Sequence, residues 1–139
     1  MSDSNGRRSR FVTPVERVIP LSDGDTITVR RRLNVGEQFA SYERMYEAGA
    51  DGQKRVNALL TGIAMVTAYL LDWNLIDERG DPVPIRNEPI QAVEAAVLNL
   101  DPADFDEIKT AIEAHEAEMI AERARQKKVP VGEPALSVS

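Results

Sequence analysis

A single histidine, no cysteine and many carboxylates set what chemistry this chain of 139 residues can attempt. His115 has Glu113, Glu116, Glu118 and Glu122 around it, and a helical His with a Glu three or four residues away is half of a metal site. The other half is missing. Histidine-pair zinc sites need a second His, and di-iron bundles need Glu-x-x-His on two helices, whereas Ile112 stands where that Glu would be. The more economical reading is an imidazole at the edge of an apolar stripe, with solvated carboxylates around it. Lack of cysteine excludes disulfide scaffolds, thiol catalysis, iron-sulfur clusters and thiolate zinc sites. No Gly-x-Ser-x-Gly is present, and no Ser or Thr has an evident His partner. Gly49-Ala50-Asp51-Gly52 lacks the spacing of a phosphate loop, and Glu47 and Asp51 would repel a phosphate. Asp77-Glu78-Arg79-Gly80-Asp81 lacks the alternating ligands and closing Glu of a calcium loop and reads as a solvated turn. The chain is therefore expected to be no enzyme and to hold neither metal nor cofactor.

The arginines are the next candidates. Arg30-Arg31-Arg32 forms a cationic cluster, with Arg7, Arg8 and Arg10 elsewhere in the head, and residues 1–33 carry a net +3 while residues 34–139 carry −9. A basic head on an acidic body (net −6) could touch nucleic acid. Strand alternation, however, puts Arg30 and Arg32 on one face and Arg31 on the other, and no aromatic platform is interleaved with them. Nucleic acid is thus not the expected partner; an acidic protein partner is the more economical target for these arginines.

The elements that must position these groups follow from periodicity and turn chemistry. Glu16 to Leu33 reads as a β-hairpin, with Asp23-Gly24 supplying the positive φ of a tight turn and Ile27, Val29, Arg31 and Leu33 alternating with Thr26, Thr28, Arg30 and Arg32. Arg31 on the apolar face predicts that the strand leaves the sheet there, and Pro20 puts the first strand at an edge. Asn34 with Glu37 predicts a helix start, with Phe39, Tyr42, Met45 and Tyr46 at helical spacing and a stop at Gly49 to Gly52. A second helix is expected from Gln53 to Trp73, about 30 Å long and apolar nearly all round. Such a helix is either surrounded or shared with a partner. Residues 74–86 form a turn-rich connector pivoting at Gly80; Asn87 is expected to cap a helix ending near Leu100. Asp101-Pro102 opens the last helix, on which Phe105, Ile108, Ile112, His115 and Met119 form a narrow stripe running towards Gln126.

With 42% apolar and 29% charged residues, the chain can build one core but hardly two. The expected architecture is α+β and mostly helical: an N-terminal β-hairpin followed by about four helices in one domain over residues 11–126. Residues 1–10 and 127–139 are expected to be disordered tails. The most apolar stretch, Ala58 to Leu71, is fourteen residues long, short of the about 20 of a membrane-spanning helix. With no secretory signal in Met1 to Arg10, a soluble intracellular protein is expected.

The order of elements, together with Ala68-Tyr69-Leu70-Leu71-Asp72-Trp73-Asn74-Leu75-Ile76-Asp77-Glu78-Arg79-Gly80-Asp81-Pro82-Val83-Pro84-Ile85, resembles the tail assembly chaperones of long-tailed, siphovirus-like bacteriophages. The Trp two residues before Leu, then acid, Gly and Pro-x-Pro, carries the resemblance, which spans about residues 16–125. It implies a non-enzymatic protein of the host bacterial cytoplasm. Such a protein binds the tape measure protein, helps tail tube protein polymerise around it, and is absent from the finished particle. It also implies a longer product made by ribosomal frameshifting, with Lys127-Lys128 or Gly132 as the slip site. The bottom-up reading adds self-association as an option and places hypothetical protein contacts at Arg30, Arg32, Phe105, Ile108, Ile112 and Met119. Two alternatives are a structural head-tail or tail adaptor, which would remain in the particle, and a small nucleic-acid-binding regulator using the Arg-rich head.

Overall fold

The computed structural model describes residues 7–128, which form five strands and four helices in an α+β, mostly helical arrangement. Strand β1 (Glu16–Pro20) pairs antiparallel with β2 (Thr26–Arg30) across a turn in which Asp23 and Gly24 both take positive φ, 59° and 81°. These are the values a two-residue hairpin turn demands of an Asp-Gly pair. Alternation holds along β2: Ile27 and Val29 are fully buried, while Thr26, Thr28 and Arg30 are partly exposed. Pro20 lies on the edge strand, where its missing N–H breaks no ladder bond to a third strand.

Helix α1 (Val35–Arg44) starts with a complete capping box. Asn34 Oδ1 accepts from the Glu37 N–H at 2.8 Å, and Glu37 Oε1 accepts from the Asn34 N–H at 2.9 Å. It stops before the expected glycines, because Tyr46–Ala48 (β3) is captured by Lys54–Val56 (β4) in a small second hairpin. The Gly49 to Gly52 turn joins those strands, with Gly52 at φ 80°.

The long helix expected over Gln53 to Trp73 is a shorter one between two strands. Asn57 caps helix α2 (Ala58–Tyr69) by accepting from the Leu60 N–H at 3.0 Å. Leu70–Trp73 then turns extended as β5 and pairs with β2, with Leu71 as a bulge between the Val29↔Leu70 and Thr28↔Asp72 pairs. Asn74 closes the strand: its Oδ1 accepts from the Thr26 N–H at 2.8 Å. The sheet order is thus β1-β2-β5. No Gly or Pro marks the break at Leu70; pairing with β2 overrides helical propensity there.

The connector wraps back over β5. The Trp73 indole N–H donates to the Val83 carbonyl at 2.7 Å, and Ile85 is buried in the core. Asp77 Oδ1 accepts from the N–H groups of Arg79 and Asp81, so Gly80, at φ 84°, can turn the chain. Helix α3 (Ile90–Leu98) has Pro89 rather than Asn87 at its cap; Asn87 instead takes a left-handed φ of 63°. Pro89 cannot extend the helix backwards with a donated N–H, so the boundary falls there.

Helix α4 (Pro102–Lys128) runs two residues past its expected end, so Lys127 and Lys128 belong to it rather than to a tail. The expectations for residues 1–6 and 129–139 lie outside the described residues. No helix among the described residues is long and apolar enough to cross a membrane. Ile27, Val29, Val66, Leu70, Trp73, Ile85, Val93, Val97, Ile108 and Ile112 form the core between the sheet, α2, α3 and α4.

Arg86 ties both edge strands together. It donates to the two Glu16 carboxylate oxygens at 2.9 and 3.1 Å and to Asp72 at 3.1 Å. These bonds hold the Glu16 carboxyl below its ordinary value of 4.5, against a smaller opposing effect of burial. Because the folded value is the lower one, the pair's stabilisation is complete above the unfolded value and is lost as pH falls through the folded one. The Glu16→Gln variant is therefore expected to show a smaller drop in Tm between pH 7 and pH 3 than the natural chain. Equal drops in a paired melting experiment would contradict this.

Candidate interaction surface

Three arginines of the basic head are spent inside the molecule, on its own acidic last helix. Arg31 donates to both Glu122 oxygens at 2.8 and 2.6 Å, Arg17 donates to Glu118 at 3.0 Å, and Arg32 comes within 3.9 Å of Glu122. The hairpin turn is tied to the same helix, since the Ser22 N–H and Oγ donate to the Glu107 carboxylate at 2.7 and 2.9 Å. The acidic surface expected for these arginines is thus in part α4 itself. Arg30 is bound differently. Its Nε donates to Glu37 at 3.0 Å and its Nη1 to the Ala68 carbonyl at 2.8 Å, in the last turn of α2. A cation is favoured at that helix end by the orphan carbonyls and the dipole. Arg30 therefore joins β2, α1 and α2 rather than standing free for a partner.

His115 is not at an edge but is 1% exposed. Arg17 Nη1 lies 3.1 Å from Nδ1, and the carbonyls of Arg30 and Arg31 lie 3.1 and 3.0 Å from Nε2. A guanidinium only donates and a carbonyl only accepts, so Nδ1 accepts and the proton is on Nε2. With Tyr69 edge-on at 5.8 Å, the imidazole is a bracket between α4 and the end of β2. Burial, reinforced by Glu116, pushes the Tyr69 phenol well above its usual range, so it remains a donor to Glu116 at 3.0 Å.

The hypothetical contact residues divide. Ile108 and Ile112 are 1% and 0% exposed and belong to the core, which corrects their placement as contacts. Phe105 is half-buried against that core, and Met119 is half-buried in the wall of a groove described below. Of the six, Arg32 and Met119 line the groove, while Phe105, Ile108 and Ile112 come together at the core. The surplus of apolar surface expected on the second helix is covered only in part: Gly62 to Leu70 is buried but for a partly exposed Met65, whereas Leu59 in the first turn is 68% exposed.

The exposed apolar surface lies instead on α1, which is packed with its polar side inward. Glu37, Ser41, Arg44 and Met45 turn to the body: Ser41 is buried, and Arg44 pairs with Glu94 of α3 at 3.0 Å. Val35, Phe39, Tyr42 and Tyr46, on the opposite stripe, are 82%, 64%, 57% and 45% exposed. Val56 lies across from Tyr46 in the second hairpin and extends the stripe at 63% exposure.

Comparison with known protein families, characterised proteins and solved structures finds no match.

Beside Tyr42 the stripe runs into an open groove of about 940 Å³ between the segment before β1, the link from β2 to α1, and the second half of α4. Its walls carry Arg8, Arg10, Arg31, Arg32 and Arg123 with a single acid, Glu116. Phe11, Val12, Val15, Tyr42, Met119 and Ile120 line it between the charges. A smaller recess of about 240 Å³ under α1 has its arginines, Arg30 and Arg44, already paired with Glu37 and Glu94. Sequence reasoning missed both α1 and the groove as surfaces. The signal for α1 was present as the helical spacing of Phe39, Tyr42 and Tyr46, which carries no direction.

Proposed function

We propose that the protein is a non-catalytic tail assembly chaperone of a long-tailed bacteriophage, working in the host cytoplasm. Its outward α1 stripe binds apolar helical segments of the tape measure protein and keeps them soluble while tail tube protein assembles around them. The observation that carries this reading is the inverted packing of α1. An amphipathic helix that gives its polar side to its own core leaves aromatic surface in water, and contiguous apolar surface of that kind marks an interaction site. Aromatic side chains bury large areas at low entropic cost, which suits a helix-in-groove contact with a long client. The resemblance in residues 68–85 names the client. Mass spectrometry of purified particles of the parent phage tests the reading: tape measure and tube proteins are expected without this chain. Stoichiometric presence of the chain would overturn it in favour of a structural adaptor.

A further inference from the structure

We infer that the groove between the segment before β1 and the second half of α4 is a docking site for an acidic amphipathic helical segment of the client. This rests on the chaperone reading and adds what that reading leaves open, the charge of the segment held. Five guanidiniums face one carboxylate across the groove walls, while the chain as a whole carries −6. Arg31 is neutralised by Glu122, and Arg32 shares that carboxylate only at 3.9 Å. Arg8, Arg10 and Arg123 make no ion pair with a carboxylate among the described residues. An intramolecular role accounts for Arg17, Arg30, Arg31 and Arg32, but not for these three.

The apolar part of the groove lining decides the shape of the occupant. Phe11, 86% exposed, and Ile120, 65% exposed, lie among the arginines, with Tyr42 opening the groove to the α1 stripe. Apolar side chains between cations match a helix that presents an apolar stripe flanked by Asp and Glu. About 940 Å³ accommodates about two turns of a helix about 10 Å across. Tyr42 belongs to both surfaces, so one client helix can lie on α1 and continue into the groove. Charge complementarity of this kind raises the association rate and rejects basic segments.

The test uses the full chain and two labelled amphipathic peptides of about 16 residues, long enough to form a helix. They share one apolar face and carry Glu or Lys on the polar face. Fluorescence anisotropy is expected to give at least about tenfold tighter binding of the Glu peptide, with the preference shrinking as salt rises. In the double variant Arg10→Glu, Arg123→Glu the preference is expected to vanish while the melting temperature stays put, since both side chains are exposed. Equal affinity for the two peptides, or a preference that survives the double variant, overturns the proposal. A single-stranded DNA oligonucleotide that binds more tightly than the Glu peptide also overturns it, and reassigns the groove to nucleic acid. Concentration-dependent self-association that blocks both peptides overturns it in favour of a second copy of this chain. Should the peptides bind alike while tape measure protein still co-purifies, the groove proposal fails and the chaperone reading stands. The converse result, a Glu preference without co-purification, retains the groove as an acidic-segment site and removes the chaperone reading.

Discussion

Ile112→Asp is expected to abolish the cooperative thermal unfolding transition. Ile112 is fully buried among Ile27, Val66, Trp73, Val93 and Ile108, within the core that joins the sheet to α2, α3 and α4. The substitution removes a large aliphatic group and puts a carboxyl where the core offers apolar neighbours. Loss of buried aliphatic volume alone costs about 2–5 kcal/mol, and desolvating the carboxyl adds about 1–3 kcal/mol even when it is protonated. Against a total stability of about 5–15 kcal/mol for a domain, the sum leaves little or no folded protein. Ile108→Asp is expected to behave alike. Circular dichroism on heating reads the result directly. A cooperative melt within about 1 kcal/mol of the natural chain would mean that α4 is not part of the core, and would return Ile108 and Ile112 to the candidate contacts.

Phe39→Ser with Tyr42→Ser is expected to have the opposite profile, with client binding lost and the fold kept. Both side chains are more than half exposed and make no side-chain hydrogen bond with a described residue, and Ser differs little from Phe or Tyr in helix propensity. Stability should therefore change by no more than about 0.5 kcal/mol. Aromatic anchors at the centre of an interface are worth about 2 kcal/mol or more each when truncated, so client affinity should fall at least about thirtyfold. Co-expression with the tape measure protein and recovery of the soluble fraction measures it. Full recovery with the double variant would remove α1 from the binding surface. The two predictions separate the buried stripe of α4, Ile108 and Ile112, from the outward face of α1.

What could be read along the chain was local. The Asp23-Gly24 turn, the Asn34 to Glu37 capping box and the Asp101-Pro102 helix start are settled within four residues, and each is where it was expected. β5 was not legible, because Leu70 to Trp73 becomes a strand only through its partner β2, some forty residues away. The second hairpin was hidden for the same reason, since Lys54–Val56 has no alternating pattern and is held by Tyr46–Ala48. Periodicity also gave the stripe on α1 without its direction. An amphipathic pattern says that two faces differ, and the default that the apolar one points inward fails here because Arg30, Glu37 and Arg44 bind the polar face to α2 and α3. The charge asymmetry was legible as an imbalance, but not as a set of ion pairs between head and last helix.

Contact between the outward face of α1 and the client can be captured by placing the photoreactive residue p-benzoylphenylalanine at Phe39 in the full chain, co-expressed with the tape measure protein and irradiated. The expected result is a crosslink to the tape measure protein from position 39 and none from Leu98, an equally exposed apolar position on α3. Crosslinking from Leu98 but not from position 39 would contradict the assignment of α1 as the client-binding face.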